Sequence, residues 1–258
     1  MSAPVFLAEA GSLRDVRPGS VYVLGGAEGR HAGVVQRRAA GERVDVVDGE
    51  GVRLGCAIGA VGADGVTLNV LIRSDEPRPR IGLVLVQALA KGDRDELAIE
   101  AATEVGIDAV LPWQAERSVV VWRGDRAAKS RARWLGTVRA AAKQSRRAWV
   151  PDVGAAVDSR GLAARIRAAV AAGGLVLVLH EESSTAIADV PLPVVGDLPG
   201  TVEVLIVVGP EGGISSAELD GLVAAGATSV RLGPHVLRTS TAGPVATALL
   251  AQRLGRWS

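Results

Sequence analysis

Val202-Glu203-Val204-Leu205-Ile206-Val207-Val208-Gly209-Pro210-Glu211-Gly212-Gly213-Ile214-Ser215-Ser216-Ala217-Glu218 is the stretch that sets the fold class. Its first seven residues form an almost continuous apolar run, the pattern of a strand buried on both faces. The glycine-rich turn that follows lets the chain reverse tightly and brings backbone N–H groups close to a ligand. Ser215 followed by Glu218 is a capping-box pattern, so a helix opens there with Leu219, Leu222 and Val223 on one face. Strand, glycine turn and capped helix together make the repeating unit of a mostly parallel sheet covered by helices.

Outward from this unit the same alternation holds. Residues 81–89 and 175–179 are further apolar strands, 109–112 a short one and 229–232 the last. Asp93 is positioned to cap a helix with Leu97, Ala101 and Val105 on one face and Gly106 as its stop. A long basic helix spans 125–146 and ends before Pro151, and an Ala-rich helix spans 162–172 before Gly173-Gly174. Pro244 starts a final helix that leads into 246–254. Upstream, the Val-rich runs 20–24, 42–48, 53–61 and 65–72 are separated by glycine turns and read as a small β module. Asp48-Gly49-Glu50-Gly51 lacks the Gly-x-Gly-x-x-Gly spacing of a nucleotide loop and is expected to be a hairpin turn. The charged, proline-containing stretch Arg73-Ser74-Asp75-Glu76-Pro77-Arg78-Pro79-Arg80 marks a boundary, which gives domains 1–74 and 75–258.

Composition narrows the class of protein. The chain has 258 residues, 48% of them hydrophobic and only 3% aromatic, so its core is built from small and branched aliphatics. One cysteine, Cys56, and three scattered histidines exclude a disulfide framework and offer no metal spacing, so no metal is expected. The N-terminal residues Met1-Ser2-Ala3-Pro4-Val5-Phe6 lack a signal pattern, and no apolar run approaches the roughly twenty residues of a membrane span. A cytoplasmic protein is the expectation.

Net charge is +1, but the charges are segregated. Residues 123–147 hold nine Lys or Arg against the single acid Asp125, whereas 168–230 hold no Lys or Arg. Such an imbalance, with Trp134 and Trp149 interleaved, fits a surface for a polyanion as well as it fits a solvated helix face. Stacking of bases on either Trp competes with burial of the ring at an interface.

In an open α/β sheet, ligands sit at the carboxyl ends of the strands. Three ends qualify: Leu179-His180-Glu181, the turn 209–213, and Leu232-Gly233-Pro234-His235-Val236-Leu237-Arg238. The middle turn lacks Gly-Lys-Ser/Thr, and Glu211 would repel phosphate, so a ligand with a cationic centre or neutral hydrogen-bonding groups fits better.

Gly-Pro-Glu-Gly-Gly at 209–213 and Leu-Gly-x-x-x-Leu-Arg-x-x-Thr-Ala at 232–242 resemble the bacterial family that methylates N3 of a specific uridine in 16S ribosomal RNA, within the SPOUT superfamily of knotted methyltransferases. The likeness runs along nearly the whole chain. It includes Arg30-His31, Arg37 and Gly41-Glu42, then Lys91-Gly92-Asp93-Arg94, Glu104-Val105-Gly106, Glu116-Arg117-Ser118, and Gln144-Ser145 with Arg147. The resemblance implies a PUA-like RNA-binding β-barrel followed by an α/β domain with a parallel sheet and a trefoil knot. It also implies S-adenosylmethionine as methyl donor, 16S ribosomal RNA or the small subunit as partner, and a homodimer.

Carried over by position, the cofactor pocket is lined by Leu179, His180, Glu181, Gly209, Glu211, Gly212, Gly213, Leu232, Gly233, Val236 and Leu237. RNA contact falls to Arg30, His31, Arg37, Lys91, Arg94 and Arg117, and on the basic stretch to Arg139, Lys143, Arg146 and Arg147. Two departures stand out. Ser240 replaces a carboxylate common in the family, and Lys143 and Arg146 replace Glu and Gly.

Methylating N3 of uracil requires its proton to leave. Arg238 is the candidate that stabilises the developing anion, unless it serves as a structural partner of Glu211 or another acid. Glu211 and His235, with His180 behind them, are the candidate proton acceptors. A target base on a paired edge must also be exposed before it can react. Two rival readings remain: a non-catalytic RNA-binding or ribosome-assembly factor, which has no need of three aligned glycine-rich loops, and a SPOUT ribose 2′-O-methyltransferase, which shares them.

Overall fold

The computed structural model describes residues 3–62, 65–194 and 200–257. Contacts divide the chain into two units, one of Met1–Arg78 with Ala142–Val150 and one of Pro79–Ala141 with Pro151–Ser258.

The first unit is a five-stranded sheet. Its elements are β1 (Val5–Leu7), β2 (Val21–Leu24), α1 (Gly26–Arg30) with a π-helical turn at His31–Val35, β3 (Arg43–Val47), β4 (Val52–Gly62) and β5 (Gly65–Asp75). The sheet order is β1-β3-β4-β5-β2, with β1 parallel to β3 and the other pairs antiparallel. Alternation along β4 sends Leu54, Cys56 and Ile58 inward, where they meet Phe6, Val46 and Leu68. Fully burying each large aliphatic side chain contributes about 1.5–3 kcal/mol. Residues 48–51 form the expected hairpin turn between β3 and β4, shaped by Asp48 Oδ1, which accepts the N–H groups of Glu50 at 2.9 Å and Val52 at 3.1 Å.

Three features depart from the sequence expectations here. β5 continues through Asp75, three residues into the proline-containing stretch. β1 is too short to show an alternating pattern and was not foreseen. Residues 142–150 fold with this unit: Ala148 and Val150 pack on Val5, Leu7 and Val47, and Trp149 Nε1 donates to the Glu76 carbonyl at 2.8 Å.

The second unit comprises β6 (Ile81–Ala88), α2 (Arg94–Val105), β7 (Ala109–Gln114), α3 (Asp125–Gln144) up to Ala141, β8 (Asp152–Val153), β9 (Val157–Asp158), α4 (Ser159–Ala171), β10 (Leu175–Leu179), β11 (Val202–Val208), α5 (Ser216–Ala224), β12 (Thr228–Val230) and α6 (Thr239–Arg253). Its seven-stranded sheet is parallel throughout, ordered β12-β10-β11-β6-β7-β8 with β9 also beside β7. The central strands are apolar on both faces. Val84, Val86, Leu205 and Val207 pack towards Leu162, Ile166 and Leu222 on one side, and α2 packs against α6.

The helices correct several details. Asp93 precedes α2 without a side-chain capping bond. The buried face of α2 is Asp95, Ala98, Ile99, Ala102 and Thr103, whereas Leu97 is 54% exposed. Small residues win that face because they let α2 approach α6 closely. α5 carries the complete capping box of Ser215 and Glu218, but Val223 faces solvent. α6 begins five residues before Pro244, so the proline lies inside the helix, where it removes only the hydrogen bond to the Ser240 carbonyl.

Candidate functional site

β12, β10 and β11 are consecutive in the sheet and parallel, so the chain leaves all three at the same edge. The residues that follow Leu179, Val208 and Val230 therefore meet. They enclose a cleft of about 780 Å3, walled also by Arg94 and Arg117. Every residue expected at the cofactor pocket lines it: Leu179, His180, Glu181, Gly209, Glu211, Gly212, Gly213, Leu232, Gly233, Val236 and Leu237. His235 and Arg238 line it too.

The turn 209–213 is held on all sides. Glu211 Oε1 accepts the N–H of Lys91 at 3.1 Å and pairs with Arg94 Nη1 at 2.9 Å. Arg117 Nη1 donates to the Gly212 carbonyl at 3.0 Å, Thr239 Oγ1 to the Gly209 carbonyl at 2.8 Å, and the Gly213 N–H to the Pro210 carbonyl at 2.9 Å. Two glycines are required sterically. A Cβ on Gly209 would lie 2.7 Å from Ile214 Cγ1, and Gly213 has φ +72°.

Partial burial raises the Glu211 carboxyl, but hydrogen bonds from its own N–H, from Arg94 and from Lys91 outweigh burial and hold it below the usual carboxylate range. A carboxylate so committed is a poor proton acceptor and a good strut. The alternative of an Arg238–Glu211 pair does not occur, since Glu211 takes Arg94 instead. Arg238 is exposed at the N-cap of α6, and its guanidinium has no partner among the described residues.

The loop at 232–237 is the opposite of this turn. Among the described residues, none of its backbone N–H or C=O groups has a partner, and Val236 is 77% exposed at the cleft mouth.

Comparison with known proteins agrees with this architecture. Residues 76–251 match the profile of the RNA methyltransferase domain. The chain is 46% identical over 239 residues to ribosomal RNA small subunit methyltransferase E of Mycobacterium tuberculosis, covering 93% of this chain and 89% of that protein. It is 31% identical over 230 residues to the Bacillus subtilis protein of the same name, with 89% of each covered. The chain belongs to the RNA methyltransferase family. Its fold matches the crystal structure of ribosomal RNA small subunit methyltransferase E from Neisseria gonorrhoeae bound to S-adenosyl methionine, with TM-score 0.82, 26% identity and 98% of each chain covered.

The RNA contacts expected in this methyltransferase are divided between the two units. Arg94 and Arg117 wall the cleft, with Lys91 at Glu211, while Arg139 is exposed on α3. In the first unit Arg30, Arg37 and Arg146 are exposed, Arg147 is half-buried, and His31 meets the Phe6 ring edge-on at 6.2 Å. Lys143 is not a free cation, because its Nζ bonds both Glu28 carboxylate oxygens at 2.8 and 2.7 Å. Neither Trp is an open stacking platform. Trp134 is fully buried edge-on against Trp122, and Trp149 lies under Arg78 at 4.4 Å.

Other site residues were not foreseen. Arg231 lines the cleft, and its guanidinium has no partner among the described residues. Glu116 receives the Ser215 hydroxyl at 2.5 Å while its N–H donates to Glu218 at 2.7 Å, so the Glu116-Arg117-Ser118 motif clamps the segment after the turn. Gln87 and Thr239 lie beneath the turn. Only the Glu116 motif had a sequence signal, and its spacing does not disclose the partner.

Proposed function

We propose that this chain transfers a methyl group from S-adenosylmethionine to N3 of a specific uridine in 16S ribosomal RNA. The observation that carries the reading is the convergence of three strand-end loops, two of them glycine-containing, on one cleft, in a chain 46% identical to a ribosomal RNA small subunit methyltransferase E. The cleft suits the cofactor. Glu181 and Glu182 on its wall are acids for a sulfonium and an ammonium centre, and the unbonded N–H and C=O groups of 232–237 match the polar edges of an adenosine. When bound there, the cofactor supplies an electrophilic methyl group.

The chain's own residues supply the rest. Arg238 directs an unpaired guanidinium at the cleft, where it stabilises negative charge on a uracil carbonyl oxygen as N3 loses its proton. His235 is the proton acceptor in this reading, and Glu211 fixes Arg94 and the turn rather than accepting the proton. The first unit is in this reading a PUA-like β-barrel that positions the RNA through Arg30, His31, Arg37, Arg146 and Arg147, and the second a SPOUT domain with a trefoil knot. The parallel order β10-β11-β6 and the match of residues 76–251 to the RNA methyltransferase domain support the α/β methyltransferase part of that reading. Lys91, Arg94, Arg117 and Arg139 contribute cations for phosphate. The working form is a cytoplasmic homodimer acting on 16S RNA or the small subunit. No helix among the described residues is long and apolar enough to cross a membrane.

Nucleoside mass analysis tests the reading. Small-subunit RNA from a strain lacking the gene, incubated with the protein and S-adenosylmethionine, is expected to gain one N3-methyluridine. A 2′-O-methylated product, or binding of RNA without any methyl transfer, overturns it.

A further inference from the structure

Gln87 is a fully buried amide at the carboxyl end of β6, in register with Val208 and so one residue from the Gly209 turn. Its Nε2 donates to Thr239 Oγ1 at 2.9 Å and to the Ala88 carbonyl at 3.2 Å, while its Oε1 has no partner among the described residues. Thr239, the first residue of α6, donates its hydroxyl to the Gly209 carbonyl at 2.8 Å. A hydroxyl has one proton. Because the Gly209 carbonyl only accepts, that proton goes to it, and Gln87 must present its NH2 side to Thr239. The relay therefore has one direction: Gln87 to Thr239 to Gly209.

The surrounding packing permits nothing larger. α6 crosses β6 so closely that a Cβ on Gly243 would lie 2.9 Å from Leu85 Cδ1 and 3.6 Å from Gln87 Oε1. Thr239 directly follows Arg238, and Gly209 opens the glycine turn. The relay joins two of the three loops that make the cleft.

We infer that Gln87 and Thr239 are positioning residues that lock the Gly209 turn to the start of α6 and so fix where Arg238 stands relative to the bound cofactor. This rests on the cofactor reading above for its consequence, though not for its geometry. Replacing Gln87 by Glu makes the inference specific. An ionised carboxylate would compete with Gly209 for the single Thr239 proton, whereas a protonated one can still donate. Burial raises the pKa of such a carboxyl, so the relay would be intact at low pH and broken as pH rises.

The test compares Thr239→Ser, Thr239→Val and Gln87→Glu by calorimetry with S-adenosylmethionine and by hydrogen exchange of the 209–213 amides without ligand. Thr239→Val is expected to weaken cofactor binding about tenfold and speed exchange in the turn, while Thr239→Ser stays within about twofold of the parent. Gln87→Glu is expected to lose affinity relative to the parent as pH rises. Parent-like behaviour of Thr239→Val, equal losses in Thr239→Ser and Thr239→Val, or a Gln87→Glu profile parallel to the parent overturns the relay. Should Gln87→Glu not fold, the Thr239 pair decides alone. Should the parent not bind S-adenosylmethionine, the cofactor reading fails, and exchange in the turn still decides the relay.

Discussion

The turn at 209–213 and the loop at 232–237 face each other across one cleft and are built on opposite principles. The turn is tied by Lys91, Arg94, Arg117, Thr239 and its own Pro210–Gly213 bond, while the loop makes no backbone hydrogen bond among the described residues. Both are glycine-containing strand ends, and their sequences alone look equivalent. The difference teaches how the site divides its labour. One wall is set before the ligand arrives, and the other keeps its donors and acceptors free for it.

The largest effect that would sharpen this contrast is on chemistry. Arg238→Ala, at the end of the unbonded loop, is expected to lower the methylation rate about 10²–10³-fold while cofactor affinity measured by calorimetry stays near that of the parent. A comparable loss in cofactor affinity would move Arg238 from chemistry to binding.

On the tied side, Arg94 is followed by Asp95, which is 2% exposed. Burial, only partly offset by the Glu96 and Ala90 N–H groups, pushes its carboxyl from 3.8 up to about 6. The folded chain thus favours the protonated acid. That contribution is full below about pH 3.8 and is lost as pH rises through about 6. Asp95→Asn is therefore expected to stabilise the protein by ~2–3 kcal/mol at pH 7 and hardly at all near pH 4, as read from urea unfolding at each pH. A gain that does not change with pH would show that Asp95 is not the titrating group.

Gly209→Ala attacks the tied turn sterically, since the new methyl group meets Ile214 at 2.7 Å. About tenfold weaker cofactor binding is expected, against little change for Gly233→Ala, whose Cβ has nothing within 4 Å. Equal effects at both glycines would erase the distinction between the two walls.

The smallest effect is expected from residues that do not line the cleft. Charge reversal at exposed Arg139 should weaken RNA binding severalfold and flatten its salt dependence without changing cofactor affinity, whereas Lys143→Ala should act mainly on stability, because its charge is spent on Glu28.

Much of the fold was legible because strong local signals coincided. The apolar runs at β10 and β11 and the Ser215–Glu218 box appear where the pattern places them. The cleft was legible for the same reason: parallel neighbours must leave their carboxyl ends on one edge. What stayed hidden depends on tertiary partners. Nothing in the spacing says that Arg94 rather than Arg238 pairs with Glu211, or that Trp134 is buried against Trp122. Leu97 was misplaced because a four-residue repeat of apolar residues marks a helix face only when no closer-packing small face competes, and Ala98 with Ala102 does. Gln87 gave no warning at all, since a lone polar residue in an apolar strand reads equally as an interruption.

Hydrogen exchange across the two loops, with and without S-adenosylmethionine, tests the division of labour most directly. The Glu211 and Gly213 amides, whose N–H groups are bonded within the turn, should be protected already in the free protein and change little, while those of Leu232, Gly233, His235, Val236 and Leu237 should gain protection on binding. Protection gained mainly in 209–213, with 232–237 exchanging as fast as before, would contradict it.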